Sequence, residues 1–160
     1  QIDPGVLIHL MEQESLDAEA LSEMLYRESG LKGLSGVSGD MRVLEASNAP
    51  EAAQAIAYFT ARCRREIAAM AAALDGIDAL VFSGGIGENS PQIRSEICER
   101  LFWLGVAIDP AANNAARRAP ALISKPDAPV QVWVIPTDEE AILARAAASL
   151  AARGVTRQSR

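Results

Sequence analysis

The chain carries the stretch Asp78-Ala-Leu-Val-Phe-Ser-Gly-Gly-Ile-Gly-Glu-Asn-Ser-Pro91, in which an apolar segment leads into three glycines and then into a helix start. Residues 80–82 have the composition of a short strand that is covered on both faces. The glycines allow the backbone to turn sharply and approach a ligand, while Ser90 and Pro91 are typical of a helix N-cap and first position. The stretch therefore predicts a nucleotide-binding segment, with a ligand-free strand-to-helix connection as the alternative.

The overall composition is that of one globular domain. Of the 160 residues, 49% are apolar, and no apolar run approaches the roughly 20 residues that span a bilayer. The N-terminus has no basic region followed by a hydrophobic one, so the sequence predicts a cytoplasmic protein without a membrane partner. A net charge of -6 argues against nucleic-acid binding, which needs a basic surface.

Histidine and cysteine are too rare for several common kinds of active site. Cys63 and Cys98 lie at apolar positions of helical patterns, with no metal-ligand spacing, and are predicted to be reduced core residues. His9 is the single histidine and has no evident catalytic partner in its neighbourhood. The sequence therefore favours neither Ser-His-Asp nor Cys-His catalysis.

The first half of the chain has helical patterns separated by one loop. Helices are predicted over residues 4–14, 17–29 and 50–74, the last rich in alanines that permit close approach of another helix. Residues 31–40 combine glycines with serines and predict a loop that ends at Asp40. Asp40 is then either an ordinary helix cap or part of a site.

The second half alternates strands with helices, which predicts an α/β fold. Strands are predicted at residues 77–82 and 130–135, and helices at residues 91–104, from Asp109 onwards and from the N-cap Thr137 onwards. Two strands make a poor sheet for so many helices. Either further strands lie within residues 104–123, or sequence upstream of this chain completes the sheet.

The spacing of the glycines separates the known nucleotide-binding loops. A Walker A loop needs a lysine after its glycines, and none follows here. A Rossmann fingerprint is matched at two of three positions in Gly85-Ile-Gly87-Glu-Asn-Ser90, with Asp109 about 20 residues on as a candidate ribose ligand. The Rossmann match is weak because Ser90 and Pro91 replace the small third residue.

Several motifs together carry a more specific resemblance. They are Ile2-Asp-Pro4, Ser29-Gly-Leu-Lys-Gly33, Ser35-Gly-Val-Ser38, Asp40-Met-Arg42, Phe82-Ser-Gly-Gly-Ile-Gly-Glu-Asn-Ser-Pro91 and Val134-Ile-Pro-Thr-Asp-Glu-Glu140. In this order and at these separations they resemble the C-terminal part of the acetokinase family, the acetate kinases, within the actin, sugar kinase and heat-shock ATPase superfamily. The resemblance covers residues 2–152 and implies a ribonuclease H-like C-terminal domain that is incomplete at its N-terminal strands.

The resemblance implies a magnesium-dependent, reversible transfer of the γ-phosphate of ATP to acetate, giving acetyl phosphate and ADP. Residues that would hold the nucleotide are Gly85, Ile86, Gly87, Glu88 and Asn89, flanked by Asp40, Met41 and Arg42. Met41 replaces the family's usual Phe, which exchanges a stacking ring for a softer contact. The family also implies a homodimer formed through the C-terminal domain.

Glu139 resembles the family's magnesium-associated carboxylate. The sequence supports this role separately, because Thr137-Asp-Glu-Glu140 forms a capping box in which Glu140 reaches back to the amide of Thr137. Glu139 is then free to point towards a site. The alternative is that both are surface glutamates favoured by the helix dipole.

The catalytic residues that the resemblance implies are expected upstream of residue 1. They are an arginine and histidine set with an aspartate and an asparagine, and Gln1 suggests a processed or truncated product. We therefore expect residues 1–152 to be a partial nucleotide-binding domain, followed by a basic, disordered tail at residues 153–160. Alone, this chain is expected to be inactive, because phosphoryl transfer depends on groups that stabilise the equatorial oxygens.

Two other functions and two other substrates remain open from the sequence. The chain could be a non-catalytic dimerisation module that associates through its alanine-rich helix, or, less favoured, a Rossmann-type dinucleotide-binding oxidoreductase. Propionate and butyrate kinases share much of the motif pattern, so acetate is the default acceptor among short-chain carboxylates.

Overall fold

The computed structural model describes residues 2–157, with the side chains of residues 139, 140, 142 and 152–157 outside the described part. Its contacts cluster into two compact units, Gln1–Asp75 and Gly76–Arg160. No helix among the described residues is long and apolar enough to cross a membrane. The assignment of residues 1–152 to one nucleotide-binding domain stays a prediction.

The first unit is built from helices. They are α1 (Pro4–Glu12), α2 (Ala18–Glu23), a π-helix (Met24–Glu28), α3 (Gly30–Ser35), α4 (Met41–Glu45) and α5 (Pro50–Ala73). The predicted starts of the first two are confirmed, because Asp3 accepts a hydrogen bond from the amide of Gly5 at 2.7 Å and Asp17 from that of Ala20 at 2.8 Å. Each carboxylate thus satisfies an amide that has no partner within its helix.

Residues 31–40 are not the continuous loop that their glycines and serines predict. The preceding helical run ends as expected, because Gly30 has a left-handed backbone with a φ of +63°. A new helix, α3, nevertheless begins there and continues to Ser35. Leu31, Lys32 and Leu34 are adequate helix formers, so the loop is confined to residues 36–40.

Helix α5 confirms the predicted close approach of another helix. It packs against α3 and α4, and its buried residues are mostly small: Ala52, Ala55, Ile56, Thr60 and Ala71. Met70 and Leu74, in contrast, are 58% and 69% exposed. The buried face of α5 therefore follows the alanines, because small side chains let the helix axes come close.

The second unit contains a small mixed sheet. Among the described residues its strands are β1 (Ala79–Phe82), β2 (Ala121–Leu122) and β3 (Gln131–Val134), in the order β1-β3-β2. β1 and β3 are parallel, whereas β2 and β3 are antiparallel. The third strand comes from within residues 104–123, as one of the two alternatives for the sparse sheet predicts.

The strand β1 is not covered on both faces, contrary to the prediction. It lies at an edge of the described sheet, and Val81 is 50% exposed whereas Phe82 is buried. The central strand β3 alternates, with Val132 and Val134 buried and Gln131 exposed. The apolar core of this unit therefore lies against one face of the sheet.

The second unit contains four α-helices among the described residues, and the predicted caps at Ser90 and Asp109 are confirmed. They are α6 (Gly84–Asn89), α7 (Pro91–Glu99), α8 (Pro110–Ala115) and α9 (Glu139–Arg157). Ser90 Oγ accepts a hydrogen bond from the amide of Ile93 at 3.0 Å, and Asp109 from that of Ala112 at 2.8 Å. The cap at Asp109 gives this residue a local structural role in place of the ribose contact of the Rossmann alternative.

Two predicted helix boundaries are wrong in the second unit. α7 ends at Glu99 and is followed by a separate 3-10 turn at Phe102–Leu104, so it does not run to residue 104. The N-cap of α9 is Asp138, whose Oδ1 accepts from the amide of Ala141 at 2.8 Å. Thr137, the predicted cap, instead bonds to Glu88. The helix includes residues 153–157 of the predicted tail, residues 158–160 lie outside the described part, and the disorder of the tail stays a prediction.

Candidate nucleotide-binding site

The glycine segment forms a short helix where the sequence predicts an open turn. Only Gly84 turns sharply, with a φ of +72°, and α6 then continues to Asn89. The side-chain amide of Asn89 donates to the carbonyl of Gly85 at 2.8 Å, which supports the last turn. The backbone amides of the segment are thus largely arranged along one short helix that follows β1.

Gly85 and Gly87 differ in what surrounds them. A Cβ atom placed on Gly87 would lie 3.4 Å from the carbonyl carbon and Cβ of Phe82, so this glycine brings α6 close against the end of β1. A Cβ placed on Gly85 would meet no described atom within 4 Å, and Gly85 is exposed. The packing of the described residues therefore accounts for Gly87 and leaves the backbone at Gly85 open to a ligand.

Glu88 joins the start of α6 to the residues that precede α9. Its Oε1 accepts hydrogen bonds from the amide of Gly84 at 2.8 Å, from the amide of Thr137 at 2.8 Å and from the hydroxyl of Thr137 at 2.9 Å. The bonds from Thr137 lower the pKa of Glu88, while burial acts in the opposite direction. A charged Glu88 therefore stabilises this arrangement.

Arg94 was not predicted from the sequence and lies directly behind the glycine helix. It is fully buried, and its guanidinium donates to the carbonyls of Gly87 and Glu88 at 2.8 and 3.0 Å. Asn113 accepts from the same guanidinium through its side chain and its carbonyl, both at 2.7 Å. The available signal is that Arg94 lies next to Ile93 in the apolar face of α7, where a charged residue is unusual.

The predicted residues Asp40, Met41 and Arg42 lie at the start of α4, in the first unit. Asp40 accepts from the amide of Arg42 at 2.9 Å, which confirms the helix-cap interpretation. The Arg42 guanidinium also bonds the carboxylate of Asp40, which lowers the pKa of Asp40 and raises that of Arg42. Met41 is 4% exposed and belongs to the core, whereas Arg42 is exposed.

The loop before Asp40 is fixed by two serines. The buried Ser35 donates to the carbonyl of Leu31 at 2.7 Å and accepts from the amide of Val37 at 3.1 Å. Ser38 Oγ then accepts from the amide of Asp40 at 3.0 Å. An open pocket of about 650 Å³ lies beside this loop, lined by Val37, Asp40, Arg42, Val43, Ala46 and Ser47. The segment around Asp40 therefore combines an ordered backbone with an accessible ion pair.

The remaining predicted residue, Glu139, has its backbone at the start of α9, but its side chain lies outside the described residues. The same holds for Glu140 of the capping box. Within the described part of the chain, no group of three or more His, Cys, Asp or Glu residues could hold a metal ion. The structure therefore brings residues 85–89 together with Thr137 in one unit, and the magnesium role of Glu139 and the approach of residues 40–42 to residues 85–89 stay predictions.

A family model described as the acetokinase family matches residues 1–145 of this chain. Acetate kinases from Rhodopseudomonas palustris and Rhizobium meliloti are 51% and 53% identical to it over 145 residues. These alignments cover 91% of this chain and 36% of each relative. The chain thus spans about a third of the length of these curated relatives.

Solved structures agree with the sequence relatives. A Porphyromonas gingivalis acetate kinase superposes with a TM-score of 0.81 at 40% identity, covering 91% of this chain and 37% of that protein. A propionate kinase from Francisella tularensis superposes with a TM-score of 0.75 at 32% identity, covering 88% of this chain and 36% of that protein. The neighbours and the described elements agree on an α/β fold.

Proposed function

This chain belongs to the acetokinase family, and on that premise we propose that it is the ATP-binding part of a carboxylate kinase. The parent enzyme transfers the γ-phosphate of ATP to acetate and yields acetyl phosphate and ADP, reversibly and with Mg²⁺. The domain is of the ribonuclease H-like kind. Acetate is the proposed acceptor because relatives at 51–53% identity are acetate kinases, whereas the propionate kinase neighbour is 32% identical.

The open backbone at Gly85 is the observation that carries this proposal. The strands β1 and β3 are parallel, and α6 follows the carboxyl end of β1. Ligands of α/β proteins bind outside the carboxyl ends of parallel strands. Gly85 lies at this edge, and no described residue covers the side where its Cβ would be. A nucleotide can therefore approach the main chain there without meeting a side chain.

Within this site, residues 85–89 have different roles. Gly85 and Ile86 offer bare backbone and an apolar side chain to the adenosine. Gly87 holds α6 against Phe82, and Glu88 holds Gly84 and Thr137 in place, so their contribution is to shape the site. Asn89 is exposed and presents its carboxamide near Gly85.

Residues 40–42 supply a second group of contacts in the proposal. The exposed guanidinium of Arg42 lines the open pocket as a partner of Asp40, and the proposal is that it exchanges this ion pair for a nucleotide phosphate. Met41 acts from the core by fixing the start of α4. Glu139 is the proposed carboxylate for Mg²⁺, and ATP supplies the phosphate oxygens that the ion also needs.

These 160 residues bind the nucleotide without transferring phosphate. The resemblance implies an arginine and histidine set around the transferring phosphoryl group, and this sequence contains a single histidine, His9. Such a set supplies the positive charge that stabilises the transition state.

The parent is proposed to be a cytoplasmic homodimer that associates through the C-terminal domain.

Activity of the full-length parent tests the proposal. The enzyme is incubated with ATP, Mg²⁺ and acetate, propionate or butyrate, and the acyl phosphate is trapped with hydroxylamine. Trapped product with acetate as the best acceptor supports the assignment, and a parent that yields no acyl phosphate with any of the three contradicts it. Calorimetry of the 160-residue chain with ATP tests the binding role, and a folded dimer that binds no ATP favours the dimerisation module instead.

A further inference from the structure

The guanidinium of Arg94 is one of the most completely enclosed charged groups in the described chain. Arg94 has 0% exposure, and its donors are directed at oxygen atoms of Gly87, Glu88 and Asn113. Among the described residues, none of these acceptors is a carboxylate. A buried cation bonded only to neutral oxygens is costly, because it loses the solvation of bulk water and these acceptors carry no counter-charge. Burial, followed by the charge of Arg117, lowers the pKa of Arg94.

The hydrogen bonds of Arg94 satisfy carbonyl groups at the C-terminal end of α6. The last carbonyls of any helix have no partner within that helix, and α6 is only six residues long. Ser90 N donates to the carbonyl of Ile86 at 3.0 Å, while Arg94 takes those of Gly87 and Glu88. A cation at this end also matches the negative end of the helix dipole.

The other side of Arg94 is fixed as well. Asn113, on α8, is itself buried and accepts from Arg94 with both its side chain and its carbonyl. The amide group of Asn113 in turn donates to the carbonyl of Pro91 at 2.9 Å and to Ser95 Oγ at 3.1 Å. The bonds to Asn113 therefore fix the orientation of the guanidinium between α7 and α8. The fixed guanidinium in turn holds the C-terminal end of α6.

We propose that Arg94 is a positioning residue for the nucleotide, which holds the backbone of α6 so that Gly85 and Ile86 face the ligand. This inference rests on the proposed function, because it assumes that residues 85–89 contact the nucleotide. Arg94 itself is fully buried behind α6, so its proposed effect on the nucleotide is indirect. The planar fork of the guanidinium bonds several fixed oxygens at once, which neither lysine nor an apolar side chain reproduces.

The test uses the full-length parent with Arg94→Met and Arg94→Lys, and with Arg100→Met as the control at the exposed residue that follows the same helix. Kinetics give KM for ATP, KM for acetate and kcat, calorimetry gives the Kd for ATP, and thermal unfolding reports the folded state. For Arg94→Met we expect the KM and Kd for ATP to rise roughly tenfold, which corresponds to about 1.4 kcal/mol. KM for acetate stays within about twofold, Arg94→Lys recovers part of the loss, and Arg100→Met matches the wild type.

A purely structural role predicts a different result. In that case Arg94→Met unfolds at a lower temperature while its folded fraction keeps the wild-type Kd for ATP, and this outcome overturns the inference. If Arg94→Met does not fold, Arg94→Lys decides in the same way, because it keeps the charge and much of the volume. A wild-type parent that binds no ATP overturns the proposed function and this inference together, whereas wild-type binding with unchanged variants overturns the inference alone.

Discussion

Glu88 Oε1 accepts a hydrogen bond at 2.8 Å from the amide nitrogen of Thr137, which lies 49 residues further along the chain. The same oxygen accepts from the amide of Gly84, so one carboxylate joins the start of the glycine helix to the segment before α9. These are the two segments that the carboxyl ends of the parallel strands β1 and β3 lead into. Glu88 therefore sets the spacing of the proposed nucleotide segment and the proposed magnesium residue, Glu139.

Replacing Glu88 by alanine is expected to destabilise the 160-residue chain by about 1–2 kcal/mol, because two amides and one hydroxyl lose a charged acceptor. Urea unfolding followed by circular dichroism measures the change. Glu99→Ala is the matched control, since Glu99 is exposed at the end of α7. An equal effect of the two substitutions would show that the bonds to Glu88 contribute nothing to stability.

The stability of the chain is expected to depend on the charge of Glu88 at acidic pH. Hydrogen bonds from Thr137 lower the pKa of Glu88 in the folded state, so the unfolded chain binds the proton more tightly. The stabilisation is therefore complete above the unfolded pKa, near 4.5, and is lost as the pH falls through the lower folded value. The unfolding midpoint should fall more steeply below about pH 5 in the wild type than in Glu88→Gln. Parallel curves for the two proteins would contradict this expectation.

Asp40 is expected to stabilise α4 as a cap more than as an ion-pair partner. Asp40→Ala should lower the denaturant midpoint of unfolding, because the amide of Arg42 loses its acceptor. Asp40→Asn keeps an N-cap acceptor and loses only the exposed ion pair, so its midpoint should fall less than that of Asp40→Ala. Denaturant titration compares the three proteins. A larger loss in Asp40→Asn than in Asp40→Ala would reverse the assignment.

The two cysteines are expected to react with thiol reagents at very different rates. Burial raises the pKa of Cys98 to about 12, so the thiolate is scarce at pH 8 and inaccessible as well. Cys63 is half-buried, and burial also raises its pKa while Arg64 opposes the shift. An aromatic disulfide reagent should therefore modify Cys63 slowly in the native chain and Cys98 only after unfolding. Cys98→Ala should leave the native time course unchanged, and an altered native rate would contradict the burial of this thiol.

The sequence was sufficient for elements that local chemistry determines. Asp3, Asp17 and Ser90 are short polar residues directly before a helix start. Each accepts the predicted hydrogen bond from a backbone amide in the first turn of its helix. The family assignment was equally accessible, because several motifs occur in a fixed order. Cys63 and Cys98 are free thiols as predicted, but only Cys98 is a core residue, because Cys63 is half-buried.

Elements determined by distant contacts could not be predicted. Val81 has the composition of a buried strand, but its exposure depends on whether another element packs on its face of the sheet. Thr137 is an ordinary N-cap by pattern, and only the position of Glu88, far away in sequence, diverts its hydroxyl. The pattern of α7 places Arg94 on the apolar face, but its bonding partners are fixed only when α6 and α8 pack around it. In each case a tertiary partner outweighs the local preference.

Gly85→Ala is expected to separate binding from stability. A Cβ at Gly85 meets no described atom within 4 Å and the residue is helical, so the chain should be as stable as the wild type or up to about 1 kcal/mol more stable. The added methyl group occupies the side of the backbone proposed for the nucleotide, so the KM of the parent enzyme for ATP should rise several-fold, with KM for acetate unchanged. Gly87→Ala is the comparison variant, because its Cβ would lie 3.4 Å from Phe82, so the added methyl group faces the protein and not open space. If a folded Gly85→Ala enzyme bound ATP as tightly as the wild type, Gly85 would not be part of the nucleotide site. The test is direct because no described atom lies within 4 Å of the added Cβ.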